Sequence, residues 1–178
     1  GDDTGTALSA AQWTGLPFFA RANKASRTPS AFASFQATTR GTASQTIKSL
    51  EEKRLLVRRR SEHDGRSFQF EITETGREML RRDPLRNLIA ALDRLDAPAR
   101  EALVRALAPL AADLAGSRGG PAFGTCGDCA HYGTRSDGGA YCACVAADLA
   151  PEEIGQLCAN FALRLPEDAI ENERGDAT

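Results

Sequence analysis

The sequence predicts a mainly α-helical chain with one small two-stranded β-hairpin and, at its C-terminal end, a small four-cysteine module. Three observations predict this fold class. Apolar residues recur at helical spacing over most of the chain as far as Leu114, but from Leu56 to Ile72 they alternate as in strands. All five cysteines lie between Cys126 and Cys158. A length of 178 residues suits one ordinary domain with a small appendage.

The first two helices are predicted from their capping residues. Ser9 and Gln12 have the spacing of a capping box, so a helix is expected to begin directly after Ser9. Pro17 is expected to bend this helix or to end it early, because proline lacks a backbone donor and crowds the preceding turn. Thr28 and Pro29 suit the cap and the first position of the second helix.

A third helix is expected to be capped by Thr39 and to have one buried and one exposed side. Ala43, Ile47 and Leu50 recur at helical spacing and are expected to face the core. The residues of the opposite side are short, polar or cationic: Thr42, Ser44, Gln45, Lys48 and Ser49. Because a helix with a polar outer side is usually just solvated, its role depends on the sequence that follows it.

The predicted hairpin follows the third helix directly. Its first strand begins at Leu56 and ends in the basic run Arg58–Arg60. Its second strand alternates apolar and polar residues, in the order Phe68, Gln69, Phe70, Glu71 and Ile72. Each arginine of the basic run either guards an exposed strand edge or contacts a phosphate, and the sequence leaves both roles open.

Charge is distributed unevenly along a chain whose net charge is only -2. From Arg21 to Arg60 there are ten Lys or Arg residues against two Glu residues. From Pro121 to Thr178 there are three Arg residues against ten Asp or Glu residues. Basic charge concentrated around the third helix and the hairpin favours an anionic partner such as nucleic acid.

The stretch from Gly41 to Thr73 resembles the winged helix-turn-helix of the MarR family of bacterial transcription regulators. The family's wing carries Asp-x-Arg at its tip and then, after five residues, an apolar residue and Thr. This chain has Asp64-Gly65-Arg66 and, after the same interval, Ile72-Thr73. The resemblance extends more loosely over about residues 8–115 and does not cover the cysteines. The family usually has Gly where Arg54 stands, and a left-handed backbone at Arg54 would cost about 1 kcal/mol.

This resemblance implies a regulator, not an enzyme: a homodimer that represses transcription by binding a palindromic operator in double-stranded DNA. The third helix would enter the major groove, with Ser44 and Gln45 at base edges and Lys48 at a phosphate. In the family the wing-tip Arg enters the minor groove and the Asp orients it, roles that match Arg66 and Asp64. The residues expected at the DNA are Thr42, Ser44, Gln45, Lys48, Arg58, Asp64 and Arg66.

Two apolar helical segments follow the hairpin. A helix opening at Glu74 is expected to be interrupted at Asp83-Pro84, and a further helix is expected after Asp96. Their apolar stripes contain Leu85, Leu88, Ile89, Leu92, Leu95, Leu103, Leu107, Leu110 and Leu114. In MarR-like proteins the corresponding helices build the dimer. The sequence thus predicts a winged-helix domain over residues 1–82, a dimerisation region over 83–117 and a cysteine-rich module over 118–178.

An odd number of cysteines in an intracellular chain argues for metal rather than for a disulfide framework. Cys126 and Cys129 form a Cys-x-x-Cys motif, called the knuckle. Twelve residues separate Cys129 from Cys142, and fifteen separate Cys142 from Cys158. This order is similar to the spacing in high-potential iron–sulfur proteins, so an iron–sulfur cluster acting as a redox or iron sensor is favoured over zinc. Cys142 is preferred to Cys144 because it makes the loops match that spacing better, although Cys144 stays a candidate.

Other functions fit the sequence less well. A structural zinc site in the same regulator is the first alternative, with His131 as a possible substitute ligand. An electron-transfer module fused to a helical adaptor is the second. A catalytic dithiol is disfavoured, because the knuckle lacks the strand–helix setting of a thioredoxin motif. No apolar run approaches the roughly 20 residues that span a bilayer, and no signal peptide is recognisable, so a cytoplasmic protein without a membrane partner is expected.

Overall fold

The computed structural model describes residues 7–60, 68–117 and 119–164, and the chain divides into two compact units, Gly1–Pro121 and Ala122–Thr178. The first is called the N-terminal unit and the second the C-terminal unit. The described part of the N-terminal unit contains α1 (Ala10–Arg21), α2 (Pro29–Phe35), α3 (Arg40–Glu52), β1 (Leu56–Arg60), β2 (Phe68–Ile72), α4 (Glu74–Leu80), α5 (Arg86–Leu92) and α6 (Ala97–Ser117). This mainly helical architecture with one small hairpin confirms the predicted fold class for this unit.

The starts of the first three helices confirm the predicted caps. Ser9 and Gln12 form the expected capping box at α1, and the side chains of Thr28 and Thr39 accept hydrogen bonds from backbone N–H groups of α2 and α3. These side chains satisfy donors that the first helical turn leaves without intrahelical partners.

Helix α1 does not end early at Pro17 but continues to Arg21. The two residues after the proline, Phe18 and Phe19, are buried in a cluster of aromatic rings. The ring centroids of Phe18 and Phe32 are 5.4 Å apart, and those of Phe19 and Phe70 are 6.0 Å apart. Burial of two phenylalanines contributes several kcal/mol, which offsets the roughly 3 kcal/mol that an internal proline costs.

The hairpin pairs β1 with β2 in antiparallel register, from Leu56 opposite Ile72 to Arg60 opposite Phe68. Helix α4 packs closely behind it, since a Cβ added to Gly76 would lie 2.4 Å from the carbonyl oxygen of Leu55. The side chain of Thr73 caps α4 by accepting a hydrogen bond from the Gly76 N–H at 3.0 Å. The hairpin and the start of α4 therefore form one packed corner.

Helices α5 and α6 differ from the rest of the N-terminal unit, because neither has a buried residue among those whose side chains are described. The predicted interruption lies between α4 and α5, where Asp83 Oδ1 accepts a hydrogen bond from the Leu85 N–H at 2.8 Å. Asp96 Oδ1 likewise accepts from the Ala99 N–H at 2.9 Å at the start of α6. Among the described residues, no helix is both long and apolar enough to cross a membrane.

The C-terminal unit is built on short strands. Its sheet has the order β3 (Tyr132–Thr134), β4 (Ala140–Cys142) and β5 (Ala147–Asp148), with antiparallel neighbours. Short 3-10 turns at Cys126–Asp128 and Pro151–Glu153 flank the sheet in sequence. Only Cys126 and Cys129 are buried among the described residues of this unit, so its apolar core is very small.

Candidate nucleic-acid interface and metal centre

Helix α3 presents a polar face to solvent, as the sequence predicted. Ala43, Ile47 and Leu50 are buried, together with Thr46. Thr42, Ser44, Gln45 and Lys48 are exposed. The first of these has a local role, because Thr42 Oγ1 lies 2.9 Å from Thr39 Oγ1 at the helix cap. Ser44, Gln45 and Lys48 therefore form the part of this face that projects beyond the capping turn.

A contact between helices fixes the position of α3, and the sequence did not reveal it. Gln12 Nε2 of α1 donates a hydrogen bond to Ser49 Oγ at 2.7 Å, and the Gln12 side chain is largely buried. Ser49, expected on the outer side, is half-buried. The two residues are 37 positions apart, so helical periodicity within α3 carries no signal for this contact. Because a buried amide needs partners, this hydrogen bond favours one placement of α3 against α1.

The arginines of β1 have different partners. The Arg58 guanidinium lies 3.5 Å from the centroid of the Phe68 ring. Arg59 forms an ion pair with Glu71 of β2, with its Nε 3.5 Å from the carboxylate. On α3, Lys48 Nζ lies 3.8 Å from a carboxylate oxygen of Glu52, and both side chains are more than half exposed. Ion pairs this exposed contribute about 0–1 kcal/mol, so these cations remain available to an anionic partner.

The wing-tip residues Asp64 and Arg66 lie outside the described residues, so the roles assigned to them rest on the sequence. The two strands that flank the tip are described. Their register ends with Arg60 opposite Phe68.

Backbone pairing in the C-terminal unit brings the predicted cysteine ligands near one another. Tyr132, three residues after Cys129, pairs with Cys142 across β3 and β4. Gly124, two residues before Cys126, forms a β-bridge with Cys158, whose N–H donates to the Gly124 carbonyl at 3.0 Å. One end of the knuckle is thus tied to Cys142 and the other end to Cys158.

Electrostatics also connect these four side chains. Burial raises the pKa of the Cys126 thiol, and the neighbouring thiols of Cys158, Cys142 and Cys129 raise it further, with a smaller contribution from Glu153. All of the cysteines are free thiols. Among the described residues, however, no group of three or more His, Cys, Asp or Glu side chains stands in metal-holding geometry. The four thiols share a neighbourhood without a completed coordination shell.

The fifth cysteine is placed differently. Cys144 is exposed in the turn between β4 and β5, whereas Cys142 is half-buried within β4. The carbonyl of His131 accepts a hydrogen bond from the Ala143 N–H at 2.9 Å, so the backbone of His131 pairs with the residue that follows β4. The structure thus places Cys142 in the strand that pairs with Tyr132, and Cys144 in the exposed turn that follows.

Two side chains that the sequence did not single out complete this region. A Cβ added to Gly124 would lie 2.5 Å from the Phe161 ring, so that ring packs directly on the backbone beside the knuckle. Arg164 Nη2 donates to the carbonyl oxygens of Cys129 and Tyr132. Both contacts join residues more than 30 positions apart, where local sequence patterns give no signal.

The donor set fits an iron–sulfur cluster or zinc. Thiolates are the soft ligands that both centres use, and a four-thiolate set is found in each. Repulsion among neighbouring thiolates, which raises the pKa of Cys126, is relieved when a cation binds between them. The chemistry of the residues therefore agrees with a bound centre, and it does not distinguish the two metals.

Comparison with known proteins supports the winged-helix interpretation. Residues 8–67 match the family model of the MarR family, a match that spans α1, α2, α3 and β1. The match does not reach β2, α4, α5, α6 or the cysteines. No curated protein matches the sequence.

Several solved structures are similar to part of the chain. The transcriptional regulator SlyA is 17% identical, with 65% of this chain and 82% of that chain covered and a TM-score of 0.48. FabT of Streptococcus pneumoniae, solved in complex with DNA, is 21% identical over 60% of this chain and 76% of that chain, with a TM-score of 0.44. MepR of S. aureus, in a complex with DNA, is 18% identical over 60% of this chain and 78% of that chain, with a TM-score of 0.45.

Proposed function

We propose that this chain is a MarR-type repressor that binds a palindromic operator in double-stranded DNA as a homodimer. One observation carries the proposal: helix α3, with its exposed polar face, is followed directly by the basic first strand of the hairpin, and both lie within the segment that matches the MarR family. A helix followed by a wing is the arrangement in which the helix enters the major groove and the wing reaches the neighbouring backbone or minor groove.

In this proposal α3 reads the operator sequence. Gln45 and Ser44 project from the first turns of the helix, next to the cap at Thr39, and an amide side chain suits the paired donor and acceptor of adenine. Lys48 lies one turn further along on the same face and supplies a phosphate contact. Thr42 remains at the interface, although its hydroxyl is already engaged with the cap.

The variant Gln45→Ala tests whether α3 distinguishes the operator sequence from other DNA. Loss of a base-edge contact should cost about 1–3 kcal/mol on the selected operator and little on scrambled duplexes. Operators are first selected from a random duplex library, and affinities for operator and scrambled DNA are then compared by fluorescence anisotropy at one salt concentration. Gln156→Ala makes the same chemical change in the C-terminal unit and should leave the ratio unaltered. An unchanged ratio in Gln45→Ala would contradict the assignment.

We further propose that Cys126, Cys129, Cys142 and Cys158 hold an iron–sulfur cluster through which the regulator responds to redox state or iron. Support comes from the two backbone pairings that flank the knuckle and from the contribution of the other three thiols to the raised pKa of Cys126. An iron–sulfur cluster supplies a centre whose charge and stability depend on electron supply and oxidants. Because the C-terminal unit has little apolar core, its fold depends on the bound centre, which makes loss of the centre a structural signal.

Metal analysis of anaerobically purified protein tests this second proposal. Iron and acid-labile sulfide in similar amounts would support the cluster, whereas zinc alone would replace it with a structural zinc site in the same regulator. The single variants Cys142→Ser and Cys144→Ser form a matched pair. We expect Cys142→Ser to lose the centre and Cys144→Ser to keep it, because Cys144 is exposed in a turn. Full loading without Cys142, or loss without Cys144, would overturn the ligand assignment.

Anaerobically purified protein also distinguishes two hypotheses, a DNA-binding regulator and an electron-transfer module on a helical adaptor. A regulator binds its selected duplex in at least one state of the centre. A protein that is reversibly reduced but binds no duplex, loaded or unloaded, would instead be an electron carrier.

A further inference from the structure

The chain beyond Cys158 returns to the knuckle as a short strap, Ala162–Arg164. The Ala130 N–H donates to the Ala162 carbonyl at 2.8 Å, and the Arg164 N–H donates to the Asp128 carbonyl at 3.0 Å. Between these bonds, Leu163 forms a β-bridge with Cys129. The strap is thus paired along its length with the backbone that carries the second cysteine of the knuckle.

The side chain of Arg164 adds two further hydrogen bonds. Its Nη2 donates to the carbonyl of Cys129 at 3.0 Å and to the carbonyl of Tyr132 at 2.8 Å. One nitrogen therefore bridges the two ends of the turn that leads from the knuckle into β3. Tyr132 in turn stands opposite Cys142 in the sheet. A single guanidinium thereby ties one proposed ligand to the strand pair that holds another.

We propose that Arg164 is a positioning residue for the thiolate centre, an inference that rests on the proposed function of the four cysteines. Its two hydrogen bonds hold the Cys129–Tyr132 turn, which joins the backbone of Cys129 to the strand that pairs with Cys142. Groups that orient metal ligands from outside the coordination shell typically contribute 10–100-fold to metal affinity.

The test compares variants of the full chain for the rate at which bound metal passes to an excess of chelator under anaerobic conditions. Arg164→Met keeps an unbranched apolar stem but removes the donors and the charge, and we expect metal loss about 10–100-fold faster than in the parent. Arg164→Lys keeps the charge and supplies several donors, so its rate should stay close to that of the parent. Arg135→Met is the matched control, since the Arg135 guanidinium lies over the Tyr141 ring and pairs with Asp148.

The possible outcomes separate this inference from the proposed function. A parent protein that binds neither iron nor zinc overturns the metal centre itself. A loaded parent with an equally stable Arg164→Met variant overturns only the role of Arg164, and so does an Arg164→Lys variant that loses metal as fast as Arg164→Met. Equal loss from Arg135→Met assigns the effect to general destabilisation of the unit and also overturns it. If Arg164→Met cannot be loaded while the other two variants load fully, the role of Arg164 is supported.

Discussion

Arg54 carries a local strain at the point where the proposed recognition helix passes into the hairpin. Its backbone φ is 58°, in the left-handed region that residues with a Cβ rarely adopt. The surrounding contacts hold it there. Thr73 Oγ1 donates to the carbonyl of Arg54 at 2.7 Å, and the Leu55 N–H donates to the Leu50 carbonyl at 2.9 Å. Arg54 therefore has the left-handed backbone for which a cost of about 1 kcal/mol is expected.

Replacing Arg54 with glycine should stabilise the protein by about 1 kcal/mol, because glycine adopts a positive φ without the steric cost of a Cβ. Urea unfolding followed by circular dichroism measures the change, read from the midpoint at constant m-value. The neighbouring Lys53 has a φ of -77°, so Lys53→Gly is the matched control and should be neutral or destabilising. A lower midpoint for Arg54→Gly than for the parent would show that lost arginine contacts outweigh the relieved strain.

The wing acts as an element whose rigidity comes from its own cross-strand contacts. Arg58 stacks on Phe68 and Arg59 pairs with Glu71, so two cations are held along β1 by residues of β2. At the other end, α4 fixes the hairpin through the close approach of Gly76 to Leu55. In the proposed complex with DNA, cross-strand contacts of this kind would lower the entropic cost of ordering the hairpin.

At the scale of this element we predict that Arg66→Ala weakens operator binding and flattens its salt dependence. Loss of one cation per protomer from the minor groove should lower the slope of log affinity against log salt by about one unit for each half-site, or about two units for the dimer. Anisotropy titrations at four or more salt concentrations give the slope. Arg105→Ala removes the same charge from α6, where Arg105 pairs with Glu101, and should leave the slope unaltered. Equal slopes for the parent and Arg66→Ala would refute a groove contact at the tip.

At the scale of the whole molecule, α5 and α6 present apolar side chains to solvent. The large exposed apolar residues of these helices are Leu88, Ile89, Val104, Leu107, Leu110 and Leu114, and Leu85 and Leu95 flank α5. Leu107 and Leu110 on α6 are 49% and 53% exposed, although they repeat at helical spacing as core residues do. Monomeric soluble proteins rarely expose a contiguous apolar patch this long, so a second copy of the chain is the proposed cover.

The double variant Leu107→Asp/Leu110→Asp should therefore shift the protein towards monomers. If each substitution costs about 1 kcal/mol, the four changed residues of a dimer cost about 4 kcal/mol together, which corresponds to a rise of roughly 1,000-fold in the dimer dissociation constant. Sedimentation velocity over a range of concentrations measures the shift. Val145→Asp, which places the same charge on an exposed apolar residue of the C-terminal unit, should leave the association unchanged. A parent that is already monomeric, or a double variant that associates equally well, would rule out this interface.

Much of the helical framework could be predicted from local sequence patterns. The caps at Ser9, Thr28 and Thr39 and the interruption at Asp83 were recognisable because a cap depends on residues within three or four positions of each other. The buried side of α3 was predictable for the same reason, since helical periodicity is a local property.

Contacts between distant parts of the chain depended on the tertiary structure. The run of α1 through Pro17 is set by the burial of Phe18 and Phe19 against residues of α2 and β2, which no property of the α1 sequence displays. Likewise, the Gln12–Ser49 hydrogen bond turns an expected outer residue into a half-buried one. In both cases packing energy between elements outweighs the local preference of one element.

In the candidate metal centre, too, some features were predictable from the sequence and others depended on the tertiary structure. The spacing of the cysteines determined which thiols could meet, because loop lengths limit the points to which a chain returns. The sequence by itself favoured Cys142 over Cys144 on loop length alone, kept Cys144 as a candidate, and contained no sign of Arg164. Strand pairing gives Cys142 and Cys144 different surroundings, because β4 ends at Cys142 and Cys144 lies in the turn after it. The strap after Cys158 brings Arg164 to the knuckle. These positions depend on hydrogen bonds between distant backbone segments, which form only in the folded chain.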